Sequence, residues 1–407
     1  MSTTLPPRPA GHGLPPRNRT ADRRRAWAGP AVLGAGFRPF FLCAALWAAL
    51  AMALWVPVIA GQLDLPSRMT PVDWHVHAML YGYVPGVLGG FLLTAIPNWT
   101  GRLPVTGRPL AGLVLVWIAG RVAVTGSALL PAGVAAAIDL AFLPLLVAVG
   151  LREILAGRNW RNLPVLGALL LMAAGNLVFH IESGSGGAAQ GFGARIGLAV
   201  SVFLVLLIGG RIVPSFTRNW LAQRGPGRLP APLGRFDAIA LGAAGLALVA
   251  WIAVPDHPVT RGLCLAAGLL HLARLARWCG WRTLREPLVA ILHAGYLFAP
   301  LGFLLASAAA IPPSAAVHTW TVGLIGTMTL AVMTRASLGH TGRKLTAGPA
   351  VIAIYAAILA AALLRVLAAV EPEATLIAAS GLLWMAGFTG FAIAFFPALT
   401  GPRLPAG

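Results

Sequence analysis

About twelve long apolar runs, separated by short loops that hold most of the charged residues, make up nearly the whole of this chain. Each run is long enough to cross a hydrocarbon core of about 30 Å as a helix. The chain of 407 residues is 58% hydrophobic and only 10% charged, whereas soluble domains carry about 25% charged residues. It is therefore predicted to be an all-α integral membrane protein. The predicted transmembrane helices lie near residues 38–60, 74–97, 109–129, 132–150, 163–181, 194–217, 235–254, 260–278, 287–309, 316–336, 348–369 and 375–397.

Basic residues in the loops indicate the orientation of the chain in the membrane. The formal net charge is +19, and Lys344 is the only lysine. Arginines cluster in the N-terminal tail and after spans two, four, six, eight and ten, whereas the opposite connections hold mostly acidic residues. By the positive-inside rule this alternation predicts twelve spans with both termini cytoplasmic. Topology thus explains the positive charge without a nucleic-acid partner, and the lipid bilayer is the expected partner.

Composition divides the chain into one membrane domain and two tails. Residues 1–30 are rich in proline, glycine and arginine and are predicted to form a disordered cytoplasmic tail. Residues 31–400 are predicted to form a single twelve-helix domain, followed by a short cytoplasmic tail at 401–407. The apolar run after Arg38 is long and has no clear cleavage site, which favours a retained first span over a signal peptide. The three cysteines share no spacing and are interpreted as isolated thiols.

A weak internal repeat groups the twelve spans. Spans two, six and ten end in similar polar signatures, namely TAIPNWTGR (94–102), RIVPSFTRNW (211–220) and MTRASLGHTGR (333–343). Four spans separate each pair, which predicts three four-helix units. The core subunits of haem-copper oxidases also arrange twelve helices in three groups, and this comparison is an analogy of fold alone.

Histidines near the span ends are the candidate metal ligands. A neutral imidazole suits haem iron, copper or zinc. His75 and His77 begin span two and His318 begins span ten, so all three are expected at the same depth near the outer face. These positions predict a haem between the two spans, held by His318 and by either His75 or His77. On a regular helix His75 shares a face with Gly82, Gly86 and Gly89, while His77 points away by about 200°.

A second metal, with copper as the candidate, is predicted at His293 in span nine. His271 in span eight and His340 after span ten are its possible partners. Isolated histidines of this kind also occur as hydrogen-bonded groups between helices, and that interpretation stays open.

Few other ionisable groups lie within the spans. Asp139, in span four, is predicted to orient a histidine, to pair with an arginine or to relay protons. Arg211 and Arg335 lie near the inner ends of their spans, where they are expected either to bind haem propionates or to extend to the interface. The chain has no CxxC or CxxCH motif and no Walker loop, which argues against covalent haem attachment and soluble nucleotide chemistry.

Several sequence motifs resemble those of the NnrS family of bacterial inner-membrane proteins, which are associated with the response to nitric oxide and described as containing haem and copper. The passages are GFRPFF (36–41), WHVHAMLYGY (74–83), GFLLTAIPNWTGR (90–102), GRIVPSFTRN (210–219), EPLVAILHAGY (286–296) and HTWTVGLIGTMTLAVMTRASLGHTGR (318–343). The family commonly has Glu after the second histidine of WHxHE, where this chain has Ala78. The resemblance implies a haem protein of nitrosative stress that meets nitric oxide or nitrosylated metal complexes.

Two other functions are consistent with the same residues. Intramembrane histidines also serve as proton sites in secondary transporters, so a proton-coupled permease is the alternative. A sensor or scaffold that binds haem without turnover is a further hypothesis, and the sequence does not decide whether the protein is an enzyme.

Overall fold

The computed structural model describes residues 27–405, and within them twelve helices are long and apolar enough to cross a membrane. This confirms the predicted all-α membrane fold. We label the helices α1 to α12, with bounds α1 Phe37–Ile59, α2 Pro71–Thr100, α3 Gly107–Thr125, α4 Val134–Ala156, α5 Trp160–Ser183, α6 Phe192–Leu221, α7 Arg235–Ala253, α8 Pro258–Ala276, α9 Pro287–Ser307, α10 Pro313–His340, α11 Pro349–Val370 and α12 Ala374–Thr400. Residues 1–26 of the predicted N-terminal tail and residues 406–407 lie outside the described residues.

Local sequence signals begin and end these helices. Proline occupies the first turn of α2, α8, α9, α10 and α11, where its missing N–H costs nothing. The Thr70 side chain caps α2 by accepting from the backbone N–H of Asp73. Glu182 accepts from the first N–H groups of α6 at Phe192 and Gly193. The end of α2 is closed by Gly101 in the left-handed conformation, at φ +68°.

The helices pack as three units of four that close into a ring. Within successive units α1 packs on α2, α5 on α6 and α9 on α10, while α3, α7 and α11 each pack on the helix that follows them. The last helix of each unit packs on the first helix of the next, since α4 contacts α5, α8 contacts α9 and α12 contacts α1. The repeated signature at the ends of spans two, six and ten therefore corresponds to a repeated packing arrangement.

The central helices of the three units are α2, α6 and α10. They line a common apolar cavity of about 70 Å³, with Val87 from α2, Leu204 from α6 and Met328 from α10 among its walls. Of the twelve helices, α2 has the largest buried share, at 78% of its most apolar window. A buried helix has protein neighbours on every side, so its polar side chains can find partners in more than one direction.

Two of the central helices contain a π-helical segment directly after their histidines. The segment spans Ala78–Tyr83 in α2 and Thr319–Gly326 in α10, whereas α6 is α-helical throughout. In α2 the carbonyl groups of Ala78, Tyr81 and Gly82 accept hydrogen bonds from the side chains of Trp47, Arg121 and Trp117. π-Helical turns are rare and often occur at functional sites, which directs attention to this end of the bundle.

The glycines of α2 meet aromatic side chains of neighbouring helices. A Cβ atom at Gly86 would lie 2.9 Å from the Trp117 ring, and one at Gly89 would lie 3.3 Å from the rings of Phe40 and Phe142. The expected stripe therefore serves close helix packing at these positions. The π-helical segment contains Gly82 and lies between His75 and Gly86, so their common face on a regular helix does not persist.

Candidate functional site

The two histidines of α2 face different neighbours. His75 is half-buried and its ring stacks on the Trp55 ring of α1, with centroids 4.3 Å apart. His77 is fully buried and its ring lies 4.9 Å from the ring of His180 on α5. The predicted divergence of about 200° on a helix describes this arrangement well. It separates two groups of polar side chains, which we call the His75 group and the His77 cluster.

The His77 cluster is built around the carboxylate of Asp139 on α4. Its Oδ2 atom lies 3.1 Å from His77 Nε2 and 3.0 Å from His180 Nε2. Asn176 on α5 donates its Nδ2 to the same oxygen at 2.8 Å, and its own Oδ1 lies 3.1 Å from His77 Nε2. The guanidinium of Arg121 on α3 donates to the other oxygen, Oδ1. Four helices thus meet at one carboxylate.

Small residues and helical spacing bring the cluster together. Asn176 and His180 are four residues apart on α5 and so lie on one face. Gly120 precedes Arg121 on α3, and a Cβ atom at Gly120 would lie 2.9 Å from Asp139 Oδ1 and 3.1 Å from Asp139 Cα. The glycine therefore allows α3 and α4 to approach until the ion pair forms.

Burial makes this cluster energetically demanding. The Asp139 side chain is fully buried and Arg121 is 4% exposed, so neither charge has water as a partner. A charge in such a place must be paired and hydrogen-bonded to be tolerated. His180 is the least buried member, with 8% of its side chain exposed at the surface of the helix bundle.

The His75 group joins α2, α10 and α11 at the same end of the bundle. His318 of α10 and Arg365 of α11 both lie within electrostatic range of His75. His318 Nδ1 lies 2.7 Å from the Ser314 carbonyl oxygen, so this nitrogen carries the proton and Nε2 keeps its lone pair. His75 Nδ1 is buried without a hydrogen-bond partner among residues 27–405.

Arg365 is the charged member of the His75 group. It is half-buried in α11, and it forms no hydrogen bond or ion pair with any residue that the structure describes. Arginine is suited to bidentate contact with carboxylates, so an unpaired guanidinium beside two imidazoles can receive an anionic group.

The candidate second metal ligand, His293, lies apart from both groups. Its Nε2 is 2.8 Å from Thr217 Oγ1, and its Nδ1 is buried without a partner among the described residues. Gly280 makes room for the ring, since a Cβ atom there would lie 2.6 Å from His293 Nδ1. Thr217 thus forms a hydrogen bond with Nε2 of His293, and Nδ1 is left available to a ligand.

The predicted partners of His293 are occupied elsewhere. His271 uses both ring nitrogens, with Nδ1 2.8 Å from Tyr296 Oη and Nε2 3.1 Å from the Ala240 carbonyl oxygen. The ring of His340 packs against Phe37, with centroids 5.4 Å apart. Within the described part of the chain, His77, Asp139 and His180 form the one group of three potential ligands whose donor atoms all lie within 4.8 Å of one another.

The two arginines predicted beside a metal lie at the other end of the bundle. The Arg335 guanidinium stacks over the Phe216 ring at 4.1 Å, and Arg211 is exposed on α6. Arg335 follows His318 by seventeen residues of one helix, a rise of about 26 Å. They are therefore remote from the His75 group, in which Arg365 is the arginine within electrostatic range of both imidazoles.

Sequence reasoning located Asp139 but missed most of its partners. His180, Asn176 and Arg121 are not among the residues predicted from the sequence, and neither is Arg365 of the His75 group. The available signals were the four-residue spacing on α5 and the arginines within otherwise apolar spans three and eleven. Polar residues inside a span usually have a partner, so Arg121, Asn176 and His180 were candidates for Asp139.

Comparison with known proteins identifies the family of the chain. No curated protein sequence matches it. The family model described as "NnrS protein" matches residues 31–403, which include all twelve helices and both groups of polar side chains. This chain of twelve membrane helices therefore belongs to the NnrS family.

Proposed function

We propose that this protein is a haem-binding membrane protein of the nitric oxide response, with His75 and His318 as the axial ligands of one haem. The observation that carries the proposal is the His75 group, in which imidazoles of two central helices lie within electrostatic range beside an unpaired arginine. Family membership supports the association with nitric oxide and nitrosative stress. Of the two histidines considered on α2, His75 is favoured because His77 is already bonded within its own cluster.

The residues of the His75 group suit a haem. Its iron takes neutral imidazole nitrogens, and a ligand histidine usually donates its second N–H to a carbonyl or carboxylate. The contact between His318 Nδ1 and the Ser314 carbonyl oxygen meets this requirement and leaves the lone pair of Nε2 for the iron. Arg365 would pair with a propionate, and the Trp55 ring fixes the plane of His75.

A haem held by both histidines would supply a six-coordinate iron suited to electron transfer, and nitric oxide would bind it only in place of His75 or His318. The protein would hold the cofactor through His75 and His318, neutralise a propionate with Arg365, and limit water by surrounding the group with helices. These roles of the protein are consistent with electron transfer or ligand binding without turnover, and equally with catalysis.

Absorption spectra of purified variants test the haem proposal. His75→Ala and His318→Ala are expected to weaken or shift the Soret band and to lower haem content, because each removes a ligand. His257→Ala, in the exposed loop before α8, is the matched control and is expected to leave the spectrum unchanged. A colourless wild-type protein, or an unchanged Soret band in both ligand variants, would refute this assignment.

A copper site at His293 stays a prediction. The buried Nδ1 of His293 is the one ring nitrogen there without a hydrogen-bond partner in the described chain, and Thr217 holds the other. We expect His293→Ala to lower the copper content of the purified protein while leaving the Soret band unchanged. Equal copper content in wild type and variant would contradict a site at this residue.

Proton-coupled transport is the second candidate function. The observation that favours it is the buried His77 cluster, in which Asp139 and two histidines form a continuous hydrogen-bonded network reaching partly exposed His180. Such networks serve as proton sites in transporters. Proton-driven uptake by reconstituted vesicles, abolished in Asp139→Asn but retained in His75→Ala, would favour this function over haem binding.

A further inference from the structure

The three nitrogen and oxygen donors of the His77 cluster converge in the manner of metal ligands. Zinc and related ions hold imidazole nitrogen and carboxylate oxygen at about 2.0–2.2 Å, which places neighbouring ligand atoms about 2.8–3.6 Å apart between octahedral and tetrahedral geometry. Asp139 Oδ2 lies 3.1 Å from His77 Nε2 and 3.0 Å from His180 Nε2. From this geometry we infer that His77, Asp139 and His180 bind a divalent first-row transition-metal ion such as Zn²⁺ or Fe²⁺.

The contacts at Asp139 Oδ2 fit a bound cation better than they fit hydrogen bonds alone. A carboxylate oxygen has about two lone-pair sites, whereas Oδ2 has His77, His180 and Asn176 within 3.1 Å. Three N–H donors at one oxygen exceed that capacity. With a cation among them, the two imidazoles present lone pairs to the ion, and the crowding of donors disappears.

The polar atoms around the three ligands complete the site. Asn176 Oδ1 lies 3.1 Å from His77 Nε2 and is a fourth potential ligand atom for the ion. Arg121 binds Asp139 Oδ1 and leaves Oδ2 for the ion, so it acts as a positioning residue for the carboxylate.

Two histidines and one carboxylate define the class of metal. This ligand set suits zinc and non-haem iron, whereas Mg²⁺ and Ca²⁺ prefer oxygen ligands. The ion reaches the cluster past His180, its partly exposed member. This site is independent of the proposed haem, because it uses His77 and helices α4 and α5 rather than His75, α10 and α11.

Cobalt binding by the full chain tests the inference. Purified protein in detergent is freed of metal with a chelator and titrated with Co²⁺, with visible d–d bands and metal analysis as readouts. We expect one Co²⁺ per chain at this site and at least about a 100-fold lower affinity in His180→Gln, because loss of a ligand costs no less than loss of a partner that supports one. The glutamine amide can still donate to Asp139, so the cluster keeps a hydrogen bond there.

Two further variants make the result decisive. His77→Gln repeats the test at the fully buried ligand, in case His180→Gln does not fold. His271→Gln is the matched control, because His271 is equally buried but both its nitrogens are bonded outside any group of three ligands. Equal Co²⁺ binding by wild type and both cluster variants, or no binding by any of them, would overturn the inference. The Soret band of each sample reports separately on the haem proposal.

Discussion

Replacing Asp139 by alanine is expected to destabilise the helix bundle by about 3–5 kcal/mol, because it leaves a buried arginine without its counter-ion. Arg121 is 4% exposed, and its remaining partner is the carbonyl oxygen of Tyr81. The same change removes the carboxylate that accepts hydrogen bonds from His77, Asn176 and His180. The side chains of His77 and Asn176 are buried, so they would be left without this acceptor. The loss should therefore exceed that from any single neutral hydrogen bond, which is about 1 kcal/mol.

Removing both charges together is the matched comparison. Arg121→Met combined with Asp139→Leu leaves no unpaired charge and fills the space with apolar side chains of similar size. We expect this double variant to recover most of the stability that Asp139→Ala loses. With the single variants Arg121→Met and Asp139→Leu measured alongside, the double-mutant cycle gives the coupling energy between the two residues.

Equilibrium unfolding in mixed SDS micelles provides the assay. The buried thiols of Cys264 and Cys279 are expected to react with a maleimide dye only after unfolding, so native cysteines report on the transition. All samples contain a chelator, so that bound metal does not contribute to the free energy of unfolding. A loss below 1 kcal/mol for Asp139→Ala, or a double variant less stable than the single one, would refute the reasoning about buried charge.

Three other perturbations follow from the same contacts. Arg365→Gln should lower haem retention in a transfer assay to apomyoglobin more than Arg365→Lys does, and equal retention in both would contradict a propionate contact. Gly280→Ala should displace the His293 ring, since its Cβ would lie 2.6 Å from Nδ1, and it should therefore lower copper content as His293→Ala does. Alkaline phosphatase fused after Gly225 should be inactive and fused after Asp256 active, because the positive-inside rule predicts that the first loop faces the cytoplasm and the second the opposite side.

The number of helices and their grouping could be predicted from the sequence, because both depend on patterns along one dimension. Uninterrupted apolar runs set the twelve spans, and the structure extends some of them, as in Pro71–Thr100 for the predicted 74–97. The repeated polar signature predicted three units because helices in equivalent places end at the same side of the membrane. These features require no knowledge of which helices touch.

The side-chain clusters could be predicted only in part. Asp139 could be identified as a carboxylate within a span. Its partners come from three other helices, and the sequence pattern does not show how these helices are rotated relative to α4. The glycines of α2 were misplaced for a local reason, since the π-helical segment Ala78–Tyr83 changes the helical period between His75 and Gly86. A regular period of 3.6 residues therefore fails at the place where the functional residues lie.

The spacing of His75 and His77 explains why a central helix carries them. Residues two positions apart on a helix point about 200° away from each other, so the two imidazoles require protein on opposite sides of α2. A helix at the periphery would turn one of them toward lipid, where an unpaired polar group costs several kcal/mol. Because α2 is the most buried of the twelve helices, His75 can reach Trp55 while His77 reaches Asp139. The WHVH sequence is thus compatible with span two only if that span lies inside the ring of helices.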